Sequence, residues 1–181
     1  MASYVSLFRG INVGGRKIVP MSELKELHVS LGLGNVATYI QSGNVVFTSD
    51  EPNVSLLCQR IGDGFAARFG FHSDVVVRSA VDLEAIVANN PFSNQPTKET
   101  KWVLVMFLAA HPTSAAEKEL MRAYPGPEEF RVVGRELYIY YPTGIGRSKL
   151  TGTLIEKKLE TVGTGRNWNT VLKLQSMCRI S

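Results

Sequence analysis

The segment Val36-Ala37-Thr38-Tyr39-Ile40-Gln41-Ser42-Gly43-Asn44-Val45-Val46-Phe47-Thr48 holds two short runs rich in β-branched and aromatic residues, parted by a polar quartet containing glycine. This pattern predicts a β-hairpin, with strands over residues 36–40 and 45–48 joined through Gln41-Ser42-Gly43-Asn44. Working outward, residues 4–8 form a mostly apolar run ended by glycine, which reads as another strand. Between them Ser22 can cap a helix whose Leu24, Leu27 and Leu31 recur at helical spacing, with Gly32 and Gly34 to stop it. Beyond the hairpin, Asn53 can cap a second helix with Val54, Leu57, Cys58, Ile61, Phe65 and Phe69 on one stripe. Gly70 ends that helix, and residues 74–78 read as a fourth strand.

The resulting order, β-α-β-β-α-β, is that of the ferredoxin-like fold, or α/β-plait. The same order then begins again. Ser79 with Asp82 opens a connecting helix that stops at Asn89-Asn90-Pro91, and the polar run 89–101 reads as a linker. Residues 102–108 form a strand too apolar to be solvated on either face. Ser114 with Glu117 makes a capping box for the next helix. Strands over 130–133 and 137–141 flank Gly134-Arg135. A helix over 150–160 carries Leu150, Leu154, Ile155 and Leu159 on one face. A short strand at 164–167 and a final helix from Asn169 complete the pattern. The fold expectation is α+β: two ferredoxin-like subdomains with antiparallel sheets, at 1–80 and 102–181, joined by a connecting helix and linker at 81–101 and closed by a C-terminal helix.

The chain has 181 residues, and 20 Lys+Arg against 16 Asp+Glu leave a net charge of +4. With 44% hydrophobic residues, the composition excludes a chain that is disordered as a whole. The charge is uneven: from residue 147 onward seven cations stand against two acids, a surplus suited to an anionic partner. Cys58 and Cys178 form no CxxC and imply neither a disulfide framework nor zinc. His28, His72 and His111 show no ligand spacing, so no metal and no cofactor are expected. There is no Gly-x-Ser-x-Gly elbow, no Cys/His signature and no paired-carboxylate motif. The first residues resemble no signal peptide, and no apolar run is long enough to span a bilayer. A cytoplasmic protein without membrane association is the expectation.

Chain direction decides which loops meet. In a β-α-β-β-α-β sheet the first two strands run parallel on either side of the third. Their carboxyl ends bring Arg9, Asn12, Gly14, Gly15 and Lys17 beside Gln41, Ser42, Gly43 and Asn44. In the second half the same rule groups Arg147, Ser148 and Lys149 with Arg166, Asn167, Trp168 and Asn169. Each cluster combines cations, amides and glycine-exposed backbone, the ingredients of an anion site. Gly10 to Lys17 approaches a P-loop, but Arg16 stands where its lysine belongs and Lys17 where its metal-binding hydroxyl belongs. Structural readings compete at each place: a turn at Gly14-Gly15, a core or rim anchor at Trp168, and helix capping by Asn167 and Asn169.

Arg9-Gly10-Ile11-Asn12-Val13-Gly14-Gly15 with Met21 and Leu24 resembles the opening signature of the DUF1697 family, which is mainly bacterial. Residues 38–47, Asn90-Pro91-Phe92 and Arg166-Asn167-Trp168-Asn169-Thr170 fit as well, while Phe8 departs from the more usual aliphatic residue. The resemblance implies two plait subdomains and supplies no activity. Three functions remain open from the residues: binding of a small phosphorylated or carboxylated ligand at the glycine-rich polar loops, enzymatic or not; nucleic-acid binding; and a protein-interaction or structural role. Against the second, residues 42–48 lack the aromatics of the RNA-recognition strand.

Overall fold

The structure, a computed structural model, describes residues 1–180. In chain order it contains β1 (Ala2–Phe8), α1 (Met21–Ser30), β2 (Gly34–Tyr39), β3 (Asn44–Ser49), α2 (Val54–Phe69), β4 (Val75–Ser79), α3 (Ala80–Ala88), β5 (Val103–Leu108), α4 (Ser114–Ala123), β6 (Glu129–Val133), β7 (Glu136–Tyr140), α5 (Gly152–Leu159), β8 (Gly163–Asn167) and α6 (Trp168–Ile180). The strands form two four-stranded antiparallel sheets, ordered β2-β3-β1-β4 and β6-β7-β5-β8. This is the doubled β-α-β-β-α-β plan that the element order predicts. The chain divides into two compact units, residues 1–85 together with the end of α6 from Lys173, and residues 86–172.

In the first unit α2 forms where its cap and stripe require. Asn53 Oδ1 accepts from the backbone N–H groups of Ser55 (3.0 Å) and Leu56 (3.2 Å), and Gly70 ends the helix at φ 75°. Leu57, Ile61 and Phe65, each four residues after the last, are buried on the sheet with Phe8, Phe47 and Val77. The Phe65 ring lies 5.0 Å from that of Phe8 and 5.2 Å from that of Phe71. Truncating Phe65 to Ala would cost about 3–5 kcal/mol. In the second unit Met106, Leu108, Leu137 and Ile139 bury the sheet face that α4 and α5 cover with Leu120, Ile155 and Leu159.

Several boundaries differ from the sequence reading. Pro20, not Ser22, stands at the N-cap of α1, extended at φ −60° and ψ 131°, and its carbonyl accepts from Leu24 N–H at 3.1 Å. Thr113, not Ser114, caps α4: its Oγ1 accepts from Ala116 N–H at 3.1 Å, because Thr113 is the last extended residue and Ser114 is already helical. Leu150 is buried but precedes α5, which Thr151 caps. The hairpin turn is Ile40 to Gly43, and Asn44 belongs to β3, where it pairs with Tyr39 and Leu7. Cys58 is half-buried against the first core, and burial pushes the Cys178 thiol up to about 12.

Candidate functional site

β1 and β2 flank β3 and both run antiparallel to it, so their carboxyl ends share one rim. The loop after β1 meets the β2–β3 turn there through Asn12. Its Nδ2 donates to Gln41 O (2.8 Å) and Val19 O (3.0 Å), and its Oδ1 accepts from Val19 N–H (2.7 Å). Gly14 and Gly15 are the central residues of a tight turn closed by Arg16 N–H on Val13 O, with positive φ at both (60° and 71°), as a type I′ turn requires. Gly43 is buried at φ 80°; its carbonyl accepts from Phe8 N–H, and a Cβ there would lie 2.8 Å from Ile11 Cδ1. Asn44 Nδ2 donates to Tyr39 O and Ser42 Oγ, both at 2.9 Å. Arg9 pairs with Asp74 at 3.6 Å, and the Lys17 ammonium stands 5.7 Å from the Phe71 ring centre. Asn12, Lys17 and Ile40 are left-handed non-glycine residues on this rim. The first cluster thus converges, and its amides and glycines hold the loops to each other.

In the second unit β7 and β8 flank β5, and their carboxyl ends also share an edge. The expected cluster divides there. Arg166 lies opposite Val105 and is only 6% exposed; its guanidinium donates to Thr164 Oγ1 (2.6 Å) and Gly165 O (2.9 Å). Burial pulls its pKa down to about 10, so it stays charged at neutral pH. Asn167 caps α6, accepting from Asn169 N–H at 2.9 Å and donating to Lys101 O at 3.0 Å. Trp168 is buried, and Asn169 is exposed. Asn167 also lines a cavity of about 140 Å³ with Trp102, Leu104, Tyr141 and Ile145.

Arg147 and Lys149 open instead onto a separate cavity of about 400 Å³, whose other wall is Tyr124-Pro125-Gly126-Pro127-Glu128, with Thr143 at its side. Ser148 stands between the two cations, near Tyr124 and Glu128 of the other wall. Tyr124 Oη donates to Glu128 Oε2 at 2.5 Å, and the Ser148 hydroxyl stands beside both groups, accepting from Leu150 N–H at 3.0 Å. Gly126 makes the arrangement possible, since a Cβ at this position would lie 2.4 Å from the Tyr124 ring. Burial pushes the Glu128 carboxyl up, but the bonds from Ser148, Tyr124 and its own backbone N–H outweigh it and hold the group below the usual range. Burial and the neighbouring Glu128 raise the Tyr124 phenol. Arg147 and Lys149 are exposed, and neither takes part in an ion pair among the described residues. The sequence reading made nothing of Tyr124 and Glu128. The signal was an aromatic and an acid bracketing Pro125-Gly126-Pro127, a rigid turn after a helix.

A family model of proteins of unknown function, DUF1697, matches residues 1–138. The chain belongs to the DUF1697 family. Arg147 and Lys149 lie beyond the matched segment, as does the expected motif 166–170. The chain is also similar in structure to a conserved bacterial protein from Streptococcus pneumoniae, with 24% identity, a TM-score of 0.73 and 98% of each chain covered. At that identity the likeness shows the fold. Among curated proteins none matches this DUF1697 member. Among its described residues no group of three or more His, Cys, Asp or Glu side chains could hold a metal ion, and no helix is long and apolar enough to cross a membrane.

Proposed function

We propose that this protein binds a small phosphorylated or carboxylated ligand in the cavity between residues 124–128 and 143–149. The observation that supports it is the pairing of concavity with uncommitted charge. Arg147 and Lys149 line a space of about 400 Å³, within the range of small-molecule sites. Arginine supplies a bidentate fork and lysine a mobile point charge, so the two can hold one oxyanion from different directions. On the first rim the Asn12 and Asn44 side chains are already engaged in joining its own loops and Arg9 is paired with Asp74, and Arg166, Asn167 and Trp168 are engaged in the sheet and the start of α6. Among the expected residues the reading therefore concentrates on Arg147, Ser148 and Lys149.

Calorimetric titration with inorganic phosphate and with citrate tests the proposal. The expected result is saturable binding to the unmodified protein that weakens at least about tenfold in Arg147→Ala/Lys149→Ala, a loss of about 1.4 kcal/mol or more. Melting temperature should hardly move in that variant, because both side chains are exposed and unpaired. No binding of either anion, or equal binding to the double variant, overturns the reading. A polyanion such as single-stranded RNA that bound instead, with affinity falling steeply as salt is raised, would favour a nucleic-acid interface.

A further inference from the structure

The same cavity keeps opposite charges apart. Glu128 is only 7% exposed, yet no cation pairs with it among the described residues. Two cations line the cavity with it, and neither closes onto its carboxylate. Buried carboxylates are ordinarily paired with a cation or neutralised by a proton. Here a neutral donor does the holding, Tyr124 Oη at 2.5 Å, with the Ser148 hydroxyl beside it. A carboxylate offers about four acceptor positions, so room remains for a donor arriving from the cavity. The Tyr124-Pro125-Gly126-Pro127 turn leads into Glu128, so the carboxylate lines the cavity together with Arg147 and Lys149 without an ion pair to either among the described residues.

Building on the anion reading above, we infer that the ligand is a small zwitterion: its oxyanion at Arg147 and Lys149, and a protonated amine at Glu128. A bare anion in this space meets the two cations but also the Glu128 charge. A ligand with an ammonium group a few bonds from its phosphate or carboxylate satisfies both walls at once. The hydrogen bonds that hold Glu128 ionised keep it competent to accept from that ammonium at neutral pH.

Matched ligands test the inference. Phosphoethanolamine and monoethyl phosphate share the phosphate and differ by the ammonium; β-alanine and propionate repeat the comparison with a carboxylate. By calorimetry the amine-bearing member of at least one pair should bind about tenfold tighter than its partner, as a charge-assisted hydrogen bond implies. N-acetylated phosphoethanolamine, which keeps the length and loses the charge, should bind the unmodified protein no tighter than monoethyl phosphate. In Glu128→Gln the preference should fall to within about twofold, while monoethyl phosphate binds as well as before or better. The ligand comparisons on the unmodified protein decide the matter even where that variant fails to fold. Equal affinity within both pairs, undiminished binding of the acetylated compound, or a preference that survives Glu128→Gln overturns the zwitterion inference and leaves the anion reading standing. No binding by any of the compounds overturns both.

Discussion

Between about pH 7 and about pH 5, above the carboxylate range, acidification should weaken this protein chiefly through His28. The imidazole is wholly buried on α1, with its ring centre 5.6 Å from that of Phe47 and 6.0 Å from that of Phe8. Its Nδ1 lies 2.8 Å from Leu24 O, a carbonyl that can only accept, so Nδ1 carries the proton. Nε2 then accepts from the Ser6 hydroxyl, also at 2.8 Å. The neutral ring is fully satisfied, and a second proton would place a charge in this apolar core and oblige the Ser6 hydroxyl to turn its own proton to Val45 O, a longer bond at 3.5 Å. Burial therefore holds the pKa down to about 4 from 6.5, while the Leu24 bond pulls weakly the other way. The unfolded chain takes up its proton near 6.5 and the folded protein only near 4. Stability tied to His28 is thus complete above pH 6.5 and is lost as pH falls toward 4. At about 1.4 kcal/mol per pH unit the whole loss is about 3 kcal/mol, of which about 2 kcal/mol appears by about pH 5. Urea unfolding followed by circular dichroism at about pH 7, 6 and 5 should show this loss in excess of that in His28→Gln. The variant is less stable at every pH, but its own cost does not vary with proton concentration. Parallel stability curves for the two proteins, or a His28 ring that titrates near its ordinary value by NMR, would refute the reasoning.

Other expected outcomes concern the loops and caps. Asn12→Ala removes the side chain that binds Val19 and Gln41, and should cost about 1–3 kcal/mol, with faster hydrogen exchange at the Val19 amide. Gly43→Ala combines φ 80° with a Cβ 2.8 Å from Ile11 Cδ1, and should lower stability by about 2 kcal/mol or more in denaturant titration. Gly14→Ala, strained at φ 60° but with nothing within 4 Å of its new methyl, should lose only about 1 kcal/mol. Thr113→Ala should cost about 1 kcal/mol and Ser114→Ala less than half of that, the reverse of what the capping-box pattern alone implies.

The doubled element order was legible because each part of it is local chemistry. Asn53 and Gly70 bound α2 through bonds and dihedrals within a few residues, and a period of four places Leu57, Ile61 and Phe65 on one face. Strand direction follows from that order, so the approach of residues 12–17 to the turn expected at 41–44 was legible too, and the structure moves that turn by one residue to 40–43. Boundaries shifted by a residue where two neighbours could serve. Thr113 and Ser114 both carry a hydroxyl, and the dihedral of Thr113 after Pro112 selects between them.

What the sequence alone determined, then, is which segments form strands and helices, in what order, and which loops come to one edge. Tertiary structure decided how each polar side chain is used. Arg166 and Arg147 are both arginines after glycine in a basic stretch. Alternation along β8 turns Arg166 onto a sheet face where it is buried and bonded to Thr164, while Arg147 ends a short 3₁₀ turn, Ile145–Arg147, and remains in solvent. A strand's own residues specify two faces but not which of them is covered, because burial depends on elements distant in the chain. The same holds for Tyr124 and Glu128. They are four residues apart, in a turn whose chemistry is invisible until folding brings Ser148 and Lys149 against them.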